Sequence, residues 1–524
     1  MGRSPRTLRA VVVAVGFGMV AVGTGPGGGG ARVVSAQTAR PNIVVVMVDD
    51  LDSRAFARML SLGLLPNIQT SLVNRGVSFA NSFVTNSLCC PSRATFLTGQ
   101  YSHNHGVFSN APPNGGVAAF DDTSTLATWL RGAGYRTSFV GKYLNYYGVV
   151  DLNGDGTISL PDALYVPPGW DDWQALVDPS TYLMYQYTIN DNGSMVTYGT
   201  AASDYQTDVL ADRAVRVIDA AEANDPQPFF LTVFPSAPHS ELWPAIPADT
   251  FADAWRWTIR PAPRHLGTIT VGVPPVPSFN EADISDKPAW LQVREPLTPV
   301  DMVYAQRKYQ DRLGAVRAID DMVGRIVQAL TQRGELQNTV IVFTSDNGFF
   351  IGEHRMSEKL AAYEESIRVP LVISMPDAQS PKSSSALVLN NDLAPTIAEI
   401  AGAAPGLPVD GRSLLPVIAD PALTNWRRRF LVEHWAVDVD PMGVHDLPDF
   451  AAVRTGTLTY VEYDDEPHSR EFYDASVDPY QMTSLHNDPS AERTSQRQIL
   501  AQWLTALKTC GGGGCQTLEF WVAK

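Results

Sequence analysis

The stretch NIVVVMVDDLD, residues 42–52, sets six consecutive apolar residues against an acidic end that holds Asp49, Asp50 and Asp52. A run this short, continuous and rich in β-branched residues reads as a strand covered on both faces. Three other stretches repeat the design. YRTSFV (135–140) leads into Gly141 and Lys142, and PFFLTVF (228–234) leads into PSAPHS with His239. TVIVFT (339–344) leads into SDNG with Asp346 and Asn347. Helical patterns lie between them: TSTLATWLRGAG, TDVLADRAVRVIDAAEA and a long stretch from about 302 to 333. Strands alternating with helices predict an α/β sheet between helix layers, and ligands of such sheets bind beyond the carboxyl ends of the strands. An aspartate after one strand is commonly a cap or a turn residue; four strands that deliver polar groups to one edge describe a site. Asp49, Asp50, Asp346 and Asn347 form an all-oxygen donor set, which suits Ca²⁺ or Mg²⁺ and does not suit zinc.

Around this pattern lie 524 residues with 40 Gly and 38 Pro, enough for one large core and a smaller second unit. Residues 1–36 set Arg3, Arg6 and Arg9 before an apolar run, and Val34, Ser35 and Ala36 follow. That is the order of a secretory signal peptide, interrupted by glycines before it reaches the length of a membrane span. Export is therefore expected, with no integral membrane contact. Formal charge is −16, and loss of the leader with its four arginines leaves about −20. Such a surface repels nucleic acid and anionic membranes, so an anionic substrate needs local cations.

Only four cysteines are present. Cys510 and Cys515, in TCGGGGCQT, read as a disulfide closed by a glycine-rich loop in an oxidising compartment. Cys89 and Cys90, in SLCCPSRATFLTG (87–99), rarely pair with each other because adjacent residues do not meet disulfide geometry. Pro91, the run that follows and Gly99 read as the first turn, body and cap of a short helix. Cys89 then sits at a helix N-terminus, which favours an anion. A plain thiolate nucleophile would also gain there, but a soft thiolate gives no reason for the oxygen-rich set.

At this point the sequence resembles the type I sulfatases. Their signature Cys-x-Pro-Ser-Arg appears as Cys89, Cys90, Pro91, Ser92 and Arg93, followed by Leu97, Thr98 and Gly99. Further landmarks in family order are VDDLD, GKYLNYYG, APHS, SDNGFFIGEHRMSEKLAAYEESIRVPL, DGRSLLPV and EFYDASVDPYQMTSL. The cysteine pair, GKYLNYYG and the Cys510/Cys515 tail look most like the N-acetylglucosamine-6-sulfatase branch. The resemblance implies an alkaline-phosphatase-like α/β/α sandwich over 37–426 and a smaller C-terminal α+β domain, an antiparallel sheet plus helix, over 427–524. It implies that Cys89 is oxidised to formylglycine (3-oxoalanine) by a formylglycine-generating enzyme, and that the product joins Asp49, Asp50, Asp346 and Asn347 at the cation. Arg93 would steady the aldehyde hydrate, Lys142 and Lys359 would hold sulfate oxygens, and His239 would be the general acid. The implied reaction is hydrolysis of a sulfate monoester, a carbohydrate 6-O-sulfate such as N-acetylglucosamine-6-sulfate in glycosaminoglycans. Many sulfatases carry a histidine where this chain has Leu144, followed by Asn145, so the base for sulfate release is left open between His354 and His105.

Three other stretches carry expectations. DLNGDGTISLPD, residues 151–162, fits a calcium loop with Asp151, Asn153, Asp155, Thr157 and Asp162 as ligands of a second Ca²⁺, or is a metal-free polar loop. DAWRWTIRPAPRH offers Trp255, Arg256, Trp257, Arg260, Arg264 and His265 either for sugar binding or for packing. After 427, shorter alternating runs and a helix near 492–508 make the second unit, where His434 or Trp435 would touch substrate. Two rivals stand beside the main reading: a phosphonate or phosphate ester hydrolase of the same fold, and a calcium-dependent binder of sulfated glycans without catalysis.

Overall fold

The apolar run that begins at Asn42 forms strand β1 (Asn42–Val48), buried along its whole length in this computed structural model. The structure describes residues 40–520 except 153–157, 223–226, 242–257, 377, 379, 437–446 and 466. Side chains of a strand alternate between faces. Val44, Val46 and Val48 accordingly enter one core, with the helices Gln206–Glu222 and Pro299–Arg333. Ile43, Val45 and Met47 enter another, with the helices Cys89–Thr98, Leu126–Gly132 and Leu393–Ala401. A strand that is apolar on both faces thus sits between two helix layers, as an α/β/α sandwich requires.

The remaining strands of this sheet are β2 (Val77–Phe83), β3 (Arg136–Gly141), β4 (Asp172–Leu176), β5 (Thr188–Asp191), β6 (Ser194–Thr197), β7 (Phe229–Phe234) and β8 (Thr339–Ser345). A hairpin of β9 (Phe350–Ile351) and β10 (Ser357–Glu358) follows, and then β11 (Leu371–Ser374) and β12 (Lys382–Leu389). The sheet order is β12-β2-β11-β8-β1-β7-β3-β4-β5-β6. Strands β8, β1, β7, β3 and β4 run parallel, while β11 and β5 are antiparallel to their neighbours. The carboxyl ends of β1, β3, β7 and β8 therefore meet at one edge.

The long helix begins at Pro299, three residues before the apolar pattern does. Thr298 and Asp301 cap each other's backbone there, and Gly334 at φ 80° ends the helix. Residues 153–157 and the leader 1–36 lie outside the described residues, so three of the expected ligands in the calcium-like loop carry no structural account. Asp162 accepts hydrogen bonds from the Leu152 amide (3.1 Å) and from the amide and hydroxyl of Ser159. It caps the short helix Leu160–Ala163.

Beyond the sandwich, β13 (Arg429–His434), β14 (Phe450–Thr455), β15 (Leu458–Tyr463) and β16 (Arg470–Asp474) form an antiparallel sheet covered by the helix Ala491–Leu507. Its core is shared with Phe83, Val84 and Leu88, on the segment that leads to Cys89. The Cys510–Cys515 disulfide is present, with Cα atoms 5.0 Å apart. The glycines between these cysteines start a helix, Gly513–Phe520, that the glycine-rich letters do not suggest. This helix is tied down by Arg427, whose guanidinium meets Asp392 (2.6 Å) and Glu519 (2.7 Å) with all three side chains fully buried. Removing the cation takes the ionic partner from Asp392 and leaves Glu519 with Arg412 alone (3.3 Å), a loss of about 3–5 kcal/mol on the scale of breaking a buried pair. Arg427→Met is therefore expected to lower the unfolding free energy by that amount at neutral pH, read from denaturant titration; an unfolding free energy equal to wild type would show that the pair contributes nothing.

Candidate active site

Each strand end supplies its side chain through a local backbone feature. After β1, Asp50 adopts φ 70°, a left-handed conformation that aspartate tolerates, and its amide donates to Asp346 Oδ1 at 3.1 Å. After β8, the Asn347 amide group donates to Asp50 Oδ1 (2.6 Å) and to the Gly348 carbonyl (2.8 Å). One carboxylate oxygen from each of Asp49, Asp50 and Asp346 lies within 4.8 Å of the others. Asp50 Oδ2 and Asn347 Oδ1 are buried and accept no hydrogen bond from the described residues. A buried acceptor without a partner costs about 1–3 kcal/mol. Two of them in a cluster of three carboxylates fit a hard dication with oxygen ligands. Burial and the neighbouring Asp49 push the Asp346 carboxyl up to about 6. Burial raises Asp49 as well, but Lys142, His239, Arg93 and Lys359 outweigh it and hold that carboxyl well below the usual range.

Cys89 is the first residue of its helix, 1% exposed, and Gly99 at φ 72° closes the last turn. Its Sγ lies 2.9 Å from Lys359 Nζ and 3.6 Å from Asp49 Oδ1. Burial and the Asp49 charge push this thiol up to about 12, so as a thiol it stays protonated and is a poor nucleophile. Cys90 points away from the carboxylates into the core beneath the sheet, and its amide donates to Asn110 Oδ1 at 2.9 Å. The pair is thus divided between site and core.

Cations ring this cluster. Arg93 donates from Nε to Asp346 Oδ2 (2.9 Å) and from Nη1 to the Lys142 carbonyl (2.8 Å), and its Nη2 lies 2.8 Å from Asp346 Oδ2 as an ion pair. The Lys142 ammonium meets Asp49 and lies 4.6 Å over the Tyr182 ring. The Lys359 ammonium meets Asp50. His239 donates from Nδ1 to the Ser240 carbonyl at 2.7 Å, which leaves Nε2 facing Asp50 Oδ2 at 3.7 Å. Its ring packs 4.5 Å from that of Tyr182. Cys89, Arg93, Lys142, His239, Lys359 and the four oxygen donors, assigned from separate stretches of sequence, are brought to one place.

Two neighbours were not anticipated. Arg312, on the long helix, donates to the Asp50 and Pro238 carbonyls and lies 3.7 Å from the Phe349 ring centre, so one guanidinium ties the β1 and β7 ends together. Its only sequence signal is an arginine on the apolar face of a helix. Tyr182, in a 3₁₀ turn, sits beneath both Lys142 and His239 and gives no signal.

Other candidates are engaged elsewhere. His105 accepts from the Val107 amide at Nδ1 (3.1 Å) and pairs through Nε2 with Thr95 Oγ1 (3.0 Å); burial pushes it down to about 3. Both of its ring nitrogens are thus engaged within the fold. His354 pairs through Nδ1 with Glu281 (2.6 Å) and stacks on Tyr363. Leu144 is core, and Asn145 donates to the Tyr182 hydroxyl at 2.6 Å. Arg260 is held by Glu241, Arg264 by Asp208 and Asp321, and His265 by Asp321. These pairs anchor the segment to its neighbours, as the packing alternative expects. Trp255, Arg256 and Trp257 lie outside the described residues. His434 and Trp435 line a cavity of about 400 Å³ on the C-terminal sheet, where Trp435 packs on Phe108 at 4.4 Å.

Comparison with known proteins gives two family matches: the sulfatase model over residues 41–403, and the N-sulphoglucosamine sulphohydrolase C-terminal model over 352–509. An N-acetylglucosamine-6-sulfatase of Capra hircus is 33% identical over 91% of this chain and 85% of its own. A protein solved with its substrate D-glucosamine-2-N,6-O-disulfate is similar in structure (TM-score 0.70, 26% identity, 89% of this chain and 97% of the other). The phosphonate monoester hydrolase of Agrobacterium radiobacter shares the fold (TM-score 0.65, 23% identity, 90% and 95%).

Proposed function

The chain belongs to the sulfatase family, and from that premise we propose that it hydrolyses the 6-O-sulfate ester of N-acetylglucosamine in glycosaminoglycan-type sugars. The observation that carries the reading is the placement of Cys89 Sγ between Asp49 and Lys359, at a helix N-terminus and beside three clustered carboxylates. The oxygens of Asp49, Asp50, Asp346 and Asn347 would hold Ca²⁺ or Mg²⁺, which when bound supplies charge neutralisation for an anionic ester. Formylglycine at position 89 supplies a geminal diol where the thiol stands. Because Cys89 is 1% exposed, a maturation enzyme reaches it before the chain has folded.

The side chains of this protein do the rest. Arg93 fixes Asp346 and the backbone at Lys142, so that metal ligand and sulfate ligand keep one spacing. Lys142 and Lys359 offer ammonium donors to sulfate oxygens, and such charge-assisted bonds are about twice as strong as neutral ones. His239, oriented by Ser240 and Tyr182, presents Nε2 to the departing sugar oxygen and protonates it when imidazolium. Arg312 keeps the His239 loop at a fixed distance from Asp50. These cations offset an acidic surface that would otherwise repel the substrate. The leader-like residues 1–36 support export, and among the described residues no helix is long and apolar enough to cross a membrane.

Enzyme produced with its maturation system is expected to release inorganic sulfate from N-acetylglucosamine-6-sulfate, and to turn over an aryl sulfate faster than an aryl phosphonate diester. The reverse preference would favour the phosphonate hydrolase reading. Glycan binding without sulfate release would favour a binding protein.

A further inference from the structure

We propose that Glu471, on the C-terminal sheet, is a positioning residue for Lys359. The inference rests on the reading of Lys359 as a sulfate-binding group. Lys359 lies between two non-glycine residues in left-handed conformations, Glu358 at φ 78° and Leu360 at φ 94°. Each such residue costs about 1–3 kcal/mol and persists only where its surroundings over-determine it. The turn that aims the ammonium at Cys89 and Asp50 is therefore held from outside.

Both ends of the turn are held. Upstream, Lys308 donates to Glu358 Oε1 (3.1 Å) and Ser357 Oγ (3.3 Å), while Glu358 pairs with Phe350 in the β9–β10 hairpin. Downstream, the Leu360 amide donates to Ser366 Oγ at 2.9 Å, and the chain reaches Tyr363, 1% exposed. The Tyr363 hydroxyl donates to Glu471 Oε1 at 2.5 Å. Tyr473 donates to the same oxygen at 2.5 Å and Tyr463 to Oε2 at 2.6 Å, so three phenols share one carboxylate that is itself 1% exposed. A buried carboxylate is costly unless its oxygens are satisfied, and hydrogen bonds to a charged acceptor are short and strong. The Tyr363 ring is also stacked by His354 at 4.2 Å, and Glu281 fixes that imidazole. With hydroxyl and face both fixed, Tyr363 makes a stiff post four residues from Lys359. Among the described residues no other hydrogen bond or ion pair links Glu471 or the three phenols to the carboxylate cluster, and the effect of Glu471 runs through Tyr363 to the turn.

The test is a double-mutant cycle on aryl sulfate turnover, comparing Glu471→Gln and Tyr363→Phe in the wild-type and Lys359→Ala backgrounds, with thermal midpoints measured throughout. Tyr363→Phe keeps the ring and its stack on His354, and it carries the cycle should the glutamine variant not fold. Each variant is expected to lower kcat/KM about 10-fold when Lys359 is present and to leave it unchanged when Lys359 is absent, because two residues that act through one group do not add. Equal losses in both backgrounds, or no loss in either, would overturn the positioning role. Wild-type turnover by Lys359→Ala alone would instead overturn the reading of Lys359.

Discussion

Cys89→Ala is expected to lower kcat for a sulfate ester by about 10⁵-fold or more, the scale of removing a covalent nucleophile, with little loss of stability. The alanine variant keeps the helix, the Arg93 network and the carboxylates, because none of them depends on the side chain at 89. Cys90→Ala is the control: that side chain lies in the core, and its loss should cost stability by about 2 kcal/mol or less while most activity remains. The contrast separates two neighbours that are adjacent in sequence and alike in side chain. If the Cys90 variant lost turnover and the Cys89 variant kept it, the assignment would be reversed. A plain thiolate mechanism predicts the same loss at 89, but it needs a thiol that ionises near neutral pH. Burial and Asp49 push this one up to about 12.

The second large effect concerns the cation. Asp50→Asn keeps the shape of the side chain and its tolerance of φ 70° while removing one unit of charge from the donor set. Turnover is expected to fall about 10³-fold. A readout independent of activity goes with it: a ligand that binds only the folded state stabilises it by about 2.7 kcal/mol at 100 times its dissociation constant. The wild-type thermal midpoint should therefore rise with added Ca²⁺ or Mg²⁺, and the Asp50→Asn midpoint should not. Equal responses in the two proteins would remove Asp50 from the set of ligands.

Much of this could be read from the letters, for a definite reason. Strands β1, β7 and β8 are short, mostly apolar runs that end in polar groups, and their buried positions in the middle of the sheet impose that pattern on both faces; β3 (RTSFVG) shows it only in its last half. The edge strands impose much less. β6 (SMVT) is mostly exposed, and β12 begins KSSS, so neither differs from a loop in composition. β2 carries Ser78, Asn81 and Ser82 among its seven residues. The helix Gly513–Phe520 was hidden because its first turn is glycine, a residue that argues for a loop.

The site divides in the same way. Groups placed just after a central strand, such as Asp49, Asp50, Lys142, His239 and Asp346, could be inferred from position, because topology alone carries them to the common edge. Arg312 and Tyr182 could not, since they reach the site across tertiary distance. The Arg312 contact with Asp50 spans 262 residues of sequence. The arginines at 260 and 264 show a different limit. Basic residues near aromatics read equally as a sugar clamp or as packing, and only the structure reveals the carboxylates that hold them. Lys359 reached the candidate set through the family resemblance; the left-handed residues on either side of it have no counterpart in the letters.

The most direct measurement is the mass of the tryptic peptide covering residues 76–93, taken from active protein isolated after normal maturation. The account predicts an aldehyde at position 89 with the thiol at position 90 retained. Two intact thiols in protein that turns over sulfate ester at full rate would contradict it.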